Sequence, residues 1–202
     1  MKSAIKHLTI ADPVMGRVIK VIPGLKLPDR DLDFESIARI VVNQQLSLKA
    51  AETIHSRVVE LVENYTPESL VRTPIEKLRA CGLSNAKVTY IQKLAKVCLN
   101  EPNYLESFLS LDDEMARDKI LKNAGFGPWS AQIFLLFHLQ RPDVFPTGDA
   151  TLNKAVSLLY DIPQADKHQI AKRSEIWAPY RSTASLALWK WIDSGQPNIF
   201  QE

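Results

Sequence analysis

The chain has 202 residues, 46% hydrophobic and 24% charged, a size and composition that bury an apolar core without staples and exclude a disordered or fibrous protein. Its 25 basic and 23 acidic residues leave a formal charge of +2, so no basic stripe marks a polyanionic partner, and a nucleic-acid reading must rest on local motifs. The two cysteines, Cys81 and Cys98, exclude a disulfide scaffold, a four-thiolate zinc site and a four-cysteine iron–sulfur cluster within this sequence, and read as buried small hydrophobes.

Strand signals are scarce and helix punctuation recurs, so the expected fold class is all-α. The first thirty or so residues, carrying Pro13 and Pro28, predict only short helices and loops. From Phe34 to Val62 the apolar positions Ile37, Ile40, Val41, Leu48, Ala51, Ile54, Val58 and Leu61 recur mostly at three- and four-residue steps, with Ser47 as a cap dividing two amphipathic helices. Thr66-Pro67 and Thr73-Pro74 each place an N-cap before a first-turn proline, and Glu76 completes a capping box with Thr73. Ser84 opens a periodic segment through Val97, and Asp112-Asp113-Glu114 gives an acidic first turn to a helix running towards Asn123. Then follow an apolar segment from Trp129 to Leu139, a helix from Thr151 to Leu159, and two helices between Lys167 and Trp191 broken near Pro179. His7, His55, His138 and His168 are dispersed, which argues against catalytic zinc; His55 is expected on a helix face and His138 at a satisfied core or helix-end position. No signal peptide or membrane span is legible, so a cytoplasmic, nucleoid-associated protein is the expectation.

The most informative stretch runs from Lys119 to Ala131, where a helix ends, Gly125 and Gly127 turn the chain and a new helix starts. Gly125 suits a left-handed C′ position and Pro128 the first position of the next helix. Such a turn can offer backbone N–H groups to one phosphate, with Lys119 and Lys122 in support, although a Gly-x-Gly turn is on chemistry alone more often a plain helix connection. Asp149, 22 positions past Gly127, stands at the start of a helical pattern and reads in isolation as an N-cap. Asp143 reads as a solvated turn residue.

The hairpin from Leu121 to Ala131, together with Val144-Phe145-Pro146-Thr147-Gly148-Asp149 and the upstream Val42-Asn43-Gln44-Gln45-Leu46-Ser47, resembles the helix-hairpin-helix (HhH-GPD) DNA glycosylase superfamily, most of all its DNA-3-methyladenine glycosylase II branch. The likeness covers Phe34 to Ser194. It implies a single two-lobed helical domain over residues 1–202 with the active site in the cleft between lobes. The implied function is a monofunctional hydrolase that flips alkylated purines, such as 3-methyladenine or 7-methylguanine, out of double-stranded DNA and cleaves the N-glycosidic bond. Asp149 would then be catalytic. Trp129 stands where bifunctional relatives carry a nucleophilic lysine, so no strand cleavage is expected.

Other roles implied by the resemblance are less uniform. Trp189 matches the family's stacking tryptophan, Ile133 stands at another pocket position, Tyr180 is undecided between pocket and packing, and Trp177 reads as core. Trp129 is either a pocket wall or the residue that fixes the turn. Gln44, Gln45 and Leu46 form the matching wedge loop, with Gln45 or Leu46 filling the hole left by the flipped base. The backbone N–H groups around Gly125 and Gly127, with Lys119 and Lys122, would bind DNA. No cofactor is required, but main-chain carbonyls of Leu121, Asn123 and Phe126 could hold Na+ or K+. The enzyme is expected to act as a monomer, with neither membrane nor obligate protein partner. A non-catalytic hairpin module that binds DNA phosphates is the alternative.

Overall fold

The computed structural model describes residues 1–22, 24–28 and 31–199, and among these every regular element is a helix. The helices are α1 (Lys2–Ala11), α2 (Pro13–Val21), α3 (Phe34–Asn43), α4 (Leu48–Val62), α5 (Pro67–Arg72), α6 (Ile75–Ala80), α7 (Asn85–Asn100), α8 (Asp113–Leu121), α9 (Pro128–Phe137), α10 (Ala150–Tyr160), α11 (Lys167–Ser174) and α12 (Arg181–Asp193), with 3-10 turns at Glu106–Ser110 and Glu175–Trp177. None is long and apolar enough to cross a membrane. The chain forms two compact units: one joins Met1–Asp29 to Gln140–Glu202, and the other is the continuous stretch Arg30–Leu139.

In the continuous unit, α3 packs on α4, α7 and α9, α5 packs on α7, and α8 packs on α9. Their inward faces bury Ile37, Ile40, Leu70, Ile91, Phe108, Ile120 and Phe134. Ser47, Thr66, Ser84 and Asp112 each cap a helix, with the side-chain oxygen accepting an N–H of the first turn. The capping box falls elsewhere than expected. It joins Thr66 and Ser69, whereas Pro74 takes the N-cap position of α6. Helix α5 is so short that Thr73 lies on its last turn and donates its hydroxyl back to the Ser69 carbonyl at 2.7 Å. His55 lies on the inward side of α4, 5% exposed, with Nε2 3.0 Å from Glu35 Oε1. His138 caps the end of α9, its ring Nδ1 donating to the Asp31 carbonyl at 3.1 Å.

In the other unit, residues expected to be loops and short helices supply two full helices. Leu8, Met15 and Val18 of α1 and α2 join Leu152, Val156, Ile170, Trp177 and Leu188 in one core. Asp12, 1% exposed, links α1 to α2 and is the hub of that core. Its Oδ1 caps α2 through Val14 and Met15 N–H, while Oδ2 accepts from Tyr160 Oη (2.7 Å), Arg173 (2.8 Å) and Trp177 Nε1 (2.8 Å). A buried carboxylate is tolerated here because a cation and four further donors satisfy it. Trp177, fully buried, is a core residue as its sequence context indicated.

Candidate active site

In the continuous unit, two tight turns stand at the ends of α3 and α8. Helix α8 stops at Leu121 and tightens through 3-10-type bonds, Lys122 N–H to Lys119 O and Asn123 N–H to Ile120 O. A turn over 123–126 follows, closed by the Phe126 N–H on the Asn123 carbonyl at 3.1 Å. Gly125 has φ +85° and so is left-handed as expected. It is not the helix C′ residue, however; it is the third residue of this turn, where a type II geometry requires positive φ. A side chain is excluded on a second ground, because a Cβ at Gly125 would stand 2.2 Å from the Tyr90 ring.

Gly127 differs. It is the N-cap of α9 with no side-chain cap, Pro128 is the first helical residue, and a Cβ on Gly127 would meet nothing within 4 Å. The way to the first-turn N–H groups of α9 is open on that side, the arrangement that receives an anion. Lys122 is exposed beside the turn. Lys119 does not support the hairpin in the way expected. Its ammonium donates to Ser107 Oγ and lies 4.9 and 5.0 Å from the ring centres of Tyr104 and Phe108, since the long stem is drawn over their apolar faces. Of the three carbonyls considered for a monovalent cation, that of Asn123 already accepts the turn's own bond, while its side-chain amide donates to Tyr104 Oη (2.5 Å) and Ile120 O (3.0 Å).

The loop after α3 is the second turn. Gln44 (φ −55°, ψ 127°) and Gln45 (φ +57°) occupy the central positions of a turn whose Leu46 N–H reaches Asn43 O at 3.3 Å. Those angles match a type II turn with glutamine where glycine is favoured. Gln45 and Leu46 are exposed, as a wedge demands. Gln44 is committed internally: its Nε2 donates to Gly125 O (2.7 Å) and Ser130 Oγ (2.9 Å), so this side chain binds the hairpin rather than reaching outward. Lys87 of α7, unnoticed in the sequence, donates to Val42 O (2.9 Å) and Gln44 O (2.8 Å), and desolvation lowers its pKa. Trp129 is half-buried at the start of α9, and Ile133 is 8% exposed further along it.

Asp149 belongs to the other unit. It is the N-cap of α10, and its Oδ1 accepts from Leu152 N–H at 2.9 Å and from Trp189 Nε1 at 3.0 Å. Trp189 is half-buried on α12 and thus orients the carboxylate, a contact the stacking role did not foresee. The same helix fastens the approach to Asp149. Arg181 grips Asp143 through two side-chain bonds of 2.8 and 2.9 Å, Ser182 accepts from Val144 N–H and donates to Arg141 O, and Ser185 donates to Val144 O. Asp143 is therefore no solvated turn residue. The Arg181 guanidinium hydrogen-bonds it and holds its carboxyl below the usual range, because a turn opposite the first residue of α12 meets a fixed cation. Tyr180 stands edge-on to His7, 5.3 Å between ring centres, and helps line a cavity of about 450 Å³ with Ala4, Leu25 and Thr183.

Among the described residues no three His, Cys, Asp or Glu side chains gather as a metal site. Burial pushes the Cys98 thiol up to about 11, which leaves it unreactive at neutral pH.

Comparison with known proteins places these elements. The chain is 30% identical over 194 residues to DNA-3-methyladenine glycosylase 1 of Schizosaccharomyces pombe, covering 91% of this chain and 84% of that one. DNA-3-methyladenine glycosylase 2 of Escherichia coli is 27% identical over 200 residues, covering 94% and 68%. The solved structure of the S. pombe 3-methyladenine DNA glycosylase in complex with abasic DNA superposes with a TM-score of 0.86 at 28% identity, covering 99% of this chain and all of that one. The model of the HhH-GPD superfamily of base excision DNA repair proteins matches residues 38–179, most of the sequence and both of the turns just described, and this chain belongs to that superfamily.

Proposed function

We propose that this protein is a monofunctional DNA glycosylase that excises alkylated purines of the 3-methyladenine and 7-methylguanine type in base excision repair. The observation that carries the reading is the carboxylate of Asp149, fixed at one oxygen by a helix N-terminus and an indole N–H, in a chain that also carries the uncapped hairpin at Gly127. The alkylpurine names of relatives matched over most of this chain support the substrate class.

The chemistry follows from the groups. Backbone N–H groups at the start of α9 hold a phosphate, and Gln45 or Leu46 enters the stack while the damaged nucleotide leaves it. As the bond from C1′ to the base nitrogen breaks, its electron pair departs with the base and positive charge develops on the sugar. The Asp149 carboxylate stabilises that charge, and water adds its oxygen to C1′ while its proton passes to the carboxylate or to solvent. An N3- or N7-alkylated purine carries positive charge before cleavage and leaves neutral, so no strong protein acid is needed. Its electron-poor face suits an aromatic wall, for which Trp189 and Tyr180 of one unit and Trp129 of the other are the candidates, with Ile133 an apolar candidate beside Trp129 on α9. With Trp129 rather than lysine after the hairpin, no Schiff base forms and the strand stays intact. A Na+ or K+ on the carbonyls of Leu121, Asn123 and Phe126 would add positive charge beside the phosphate. The enzyme acts alone on double-stranded DNA, in the compartment that holds the chromosome.

Release of free base from methylated duplex DNA by the wild type and by Asp149→Asn tests the reading. The substitution is expected to cut the rate by about a hundredfold or more while leaving DNA affinity in place, with strand breaks only after heating. Undiminished release by the variant overturns the role of Asp149; salt-dependent DNA binding with no base released from any alkylated substrate points to a non-catalytic module instead.

A further inference from the structure

The two turns of the continuous unit are joined by side chains that neither turn needs for its own closure. Lys87 spends its ammonium on the Val42 carbonyl near the end of α3 and on the carbonyl of Gln44, the residue before the left-handed Gln45. Gln44 spends both amide hydrogens on the hairpin, one on the carbonyl of left-handed Gly125 and one on the hydroxyl of Ser130 in the first turn of α9. Tyr90, one helical turn from Lys87 on α7, packs against Gly125 itself. One face of α7 therefore meets both turns. Glutamine in left-handed geometry is strained relative to glycine, and such strain persists only where its surroundings over-determine it.

We propose that Lys87 and Gln44 are positioning residues which hold Gln45 in its left-handed turn and lock it in register with the hairpin, so that gripping a phosphate and presenting the wedge are one event. The proposal rests on the glycosylase reading for its consequence in catalysis, and on the geometry alone for the coupling. Lys87→Met keeps the stem and removes the donors; Gln44→Ala cuts the link to Gly125 and Ser130. In the free protein, either change is expected to speed hydrogen exchange about tenfold or more at the amides that close both turns, Leu46 and Phe126, with the rest of α3, α7 and α9 unaltered. Acceleration confined to one turn, or spread through the whole unit, overturns the coupling.

On alkylated duplex, the single-turnover rate at saturating enzyme is expected to fall about tenfold in each variant, while affinity for undamaged duplex moves less than about threefold, because a misplaced wedge hinders flipping more than gripping. Lys87→Arg should restore most of the rate. The double variant should be no slower than the worse single one, since both break the same link. An equal loss of plain-duplex affinity and rate, or an additive double variant, contradicts the proposal. If the wild type frees no base, the functional reading fails, and the exchange experiment still decides whether the turns are coupled.

Discussion

The two units present their functional groups by opposite means. In Arg30–Leu139 the candidate DNA surface is main chain: two turns with left-handed third residues and an uncapped helix start, held from beneath by Lys87, Gln44 and Tyr90. In the other unit it is one carboxylate, held by donors from α10 and α12. A surface made of backbone is sensitive to atoms that are added, whereas a site made of one side chain is sensitive to donors that are taken away.

Removal should have its largest effect at Asp12. Asp12→Ala leaves the Arg173 guanidinium, the Tyr160 hydroxyl and the Trp177 indole N–H without their buried acceptor, and a loss of about 3–5 kcal/mol is expected in denaturant unfolding, with the melting of α1 and α2 leading. A loss below about 1 kcal/mol would mean that water replaces the carboxylate. Addition should matter most at Gly125. Gly125→Ala combines positive φ with overlap on Tyr90 and should cost about 2–4 kcal/mol, whereas Gly127→Ala should change stability by less than about 0.5 kcal/mol and yet weaken duplex binding. If Gly127→Ala binds DNA normally, the phosphate does not approach over Gly127.

Two smaller effects concern donors on α12, Trp189 to Asp149 and Arg181 to Asp143. Trp189→Phe keeps an aromatic ring and removes only the indole N–H, so base release should slow about tenfold with Tm little changed; an unchanged rate would leave Trp189 with stacking alone. Asp143 should contribute about 1 kcal/mol through Arg181. Because its folded pKa is depressed, that stability is present above the unfolded carboxylate value and is lost as pH falls through the lower folded value. Asp143→Asn should therefore unfold more readily at neutral pH, and the difference from wild type should shrink in strong acid.

Much of this was legible in the sequence where a local signal exists. Ser47, Thr66 and Asp149 were readable as caps because an oxygen before an apolar period acts on neighbours two or three residues away, whereas Asp112, expected in an acidic first turn, is itself the cap of α8. Asp12-Pro13 carries the same signal, and α2 begins there, although the region as a whole reads only as short helices and loops. What stayed hidden depends on partners distant in sequence. Lys87 binds backbone carbonyls, which have no residue code, and Asp12 meets Arg173 and Trp177 more than 160 positions away. Gly125 announced a left-handed residue but not which turn would use it, and nothing in Gln44-Gln45 told that the first glutamine serves the hairpin while the second bears the strain.

The interrupted unit also bears on how the chain matures during synthesis. Helices α1 and α2 leave the ribosome before the other helices, but Leu152, Val156, Trp177 and Leu188, against which Leu8, Met15 and Val18 pack, are translated only after the entire continuous unit. The hairpin unit can therefore complete its core while the first two helices still wait for theirs, with their apolar faces open to misassociation. The unit with the candidate DNA surface is complete before the unit that carries Asp149, and a nascent chain of this protein should gain duplex affinity before it can release a base.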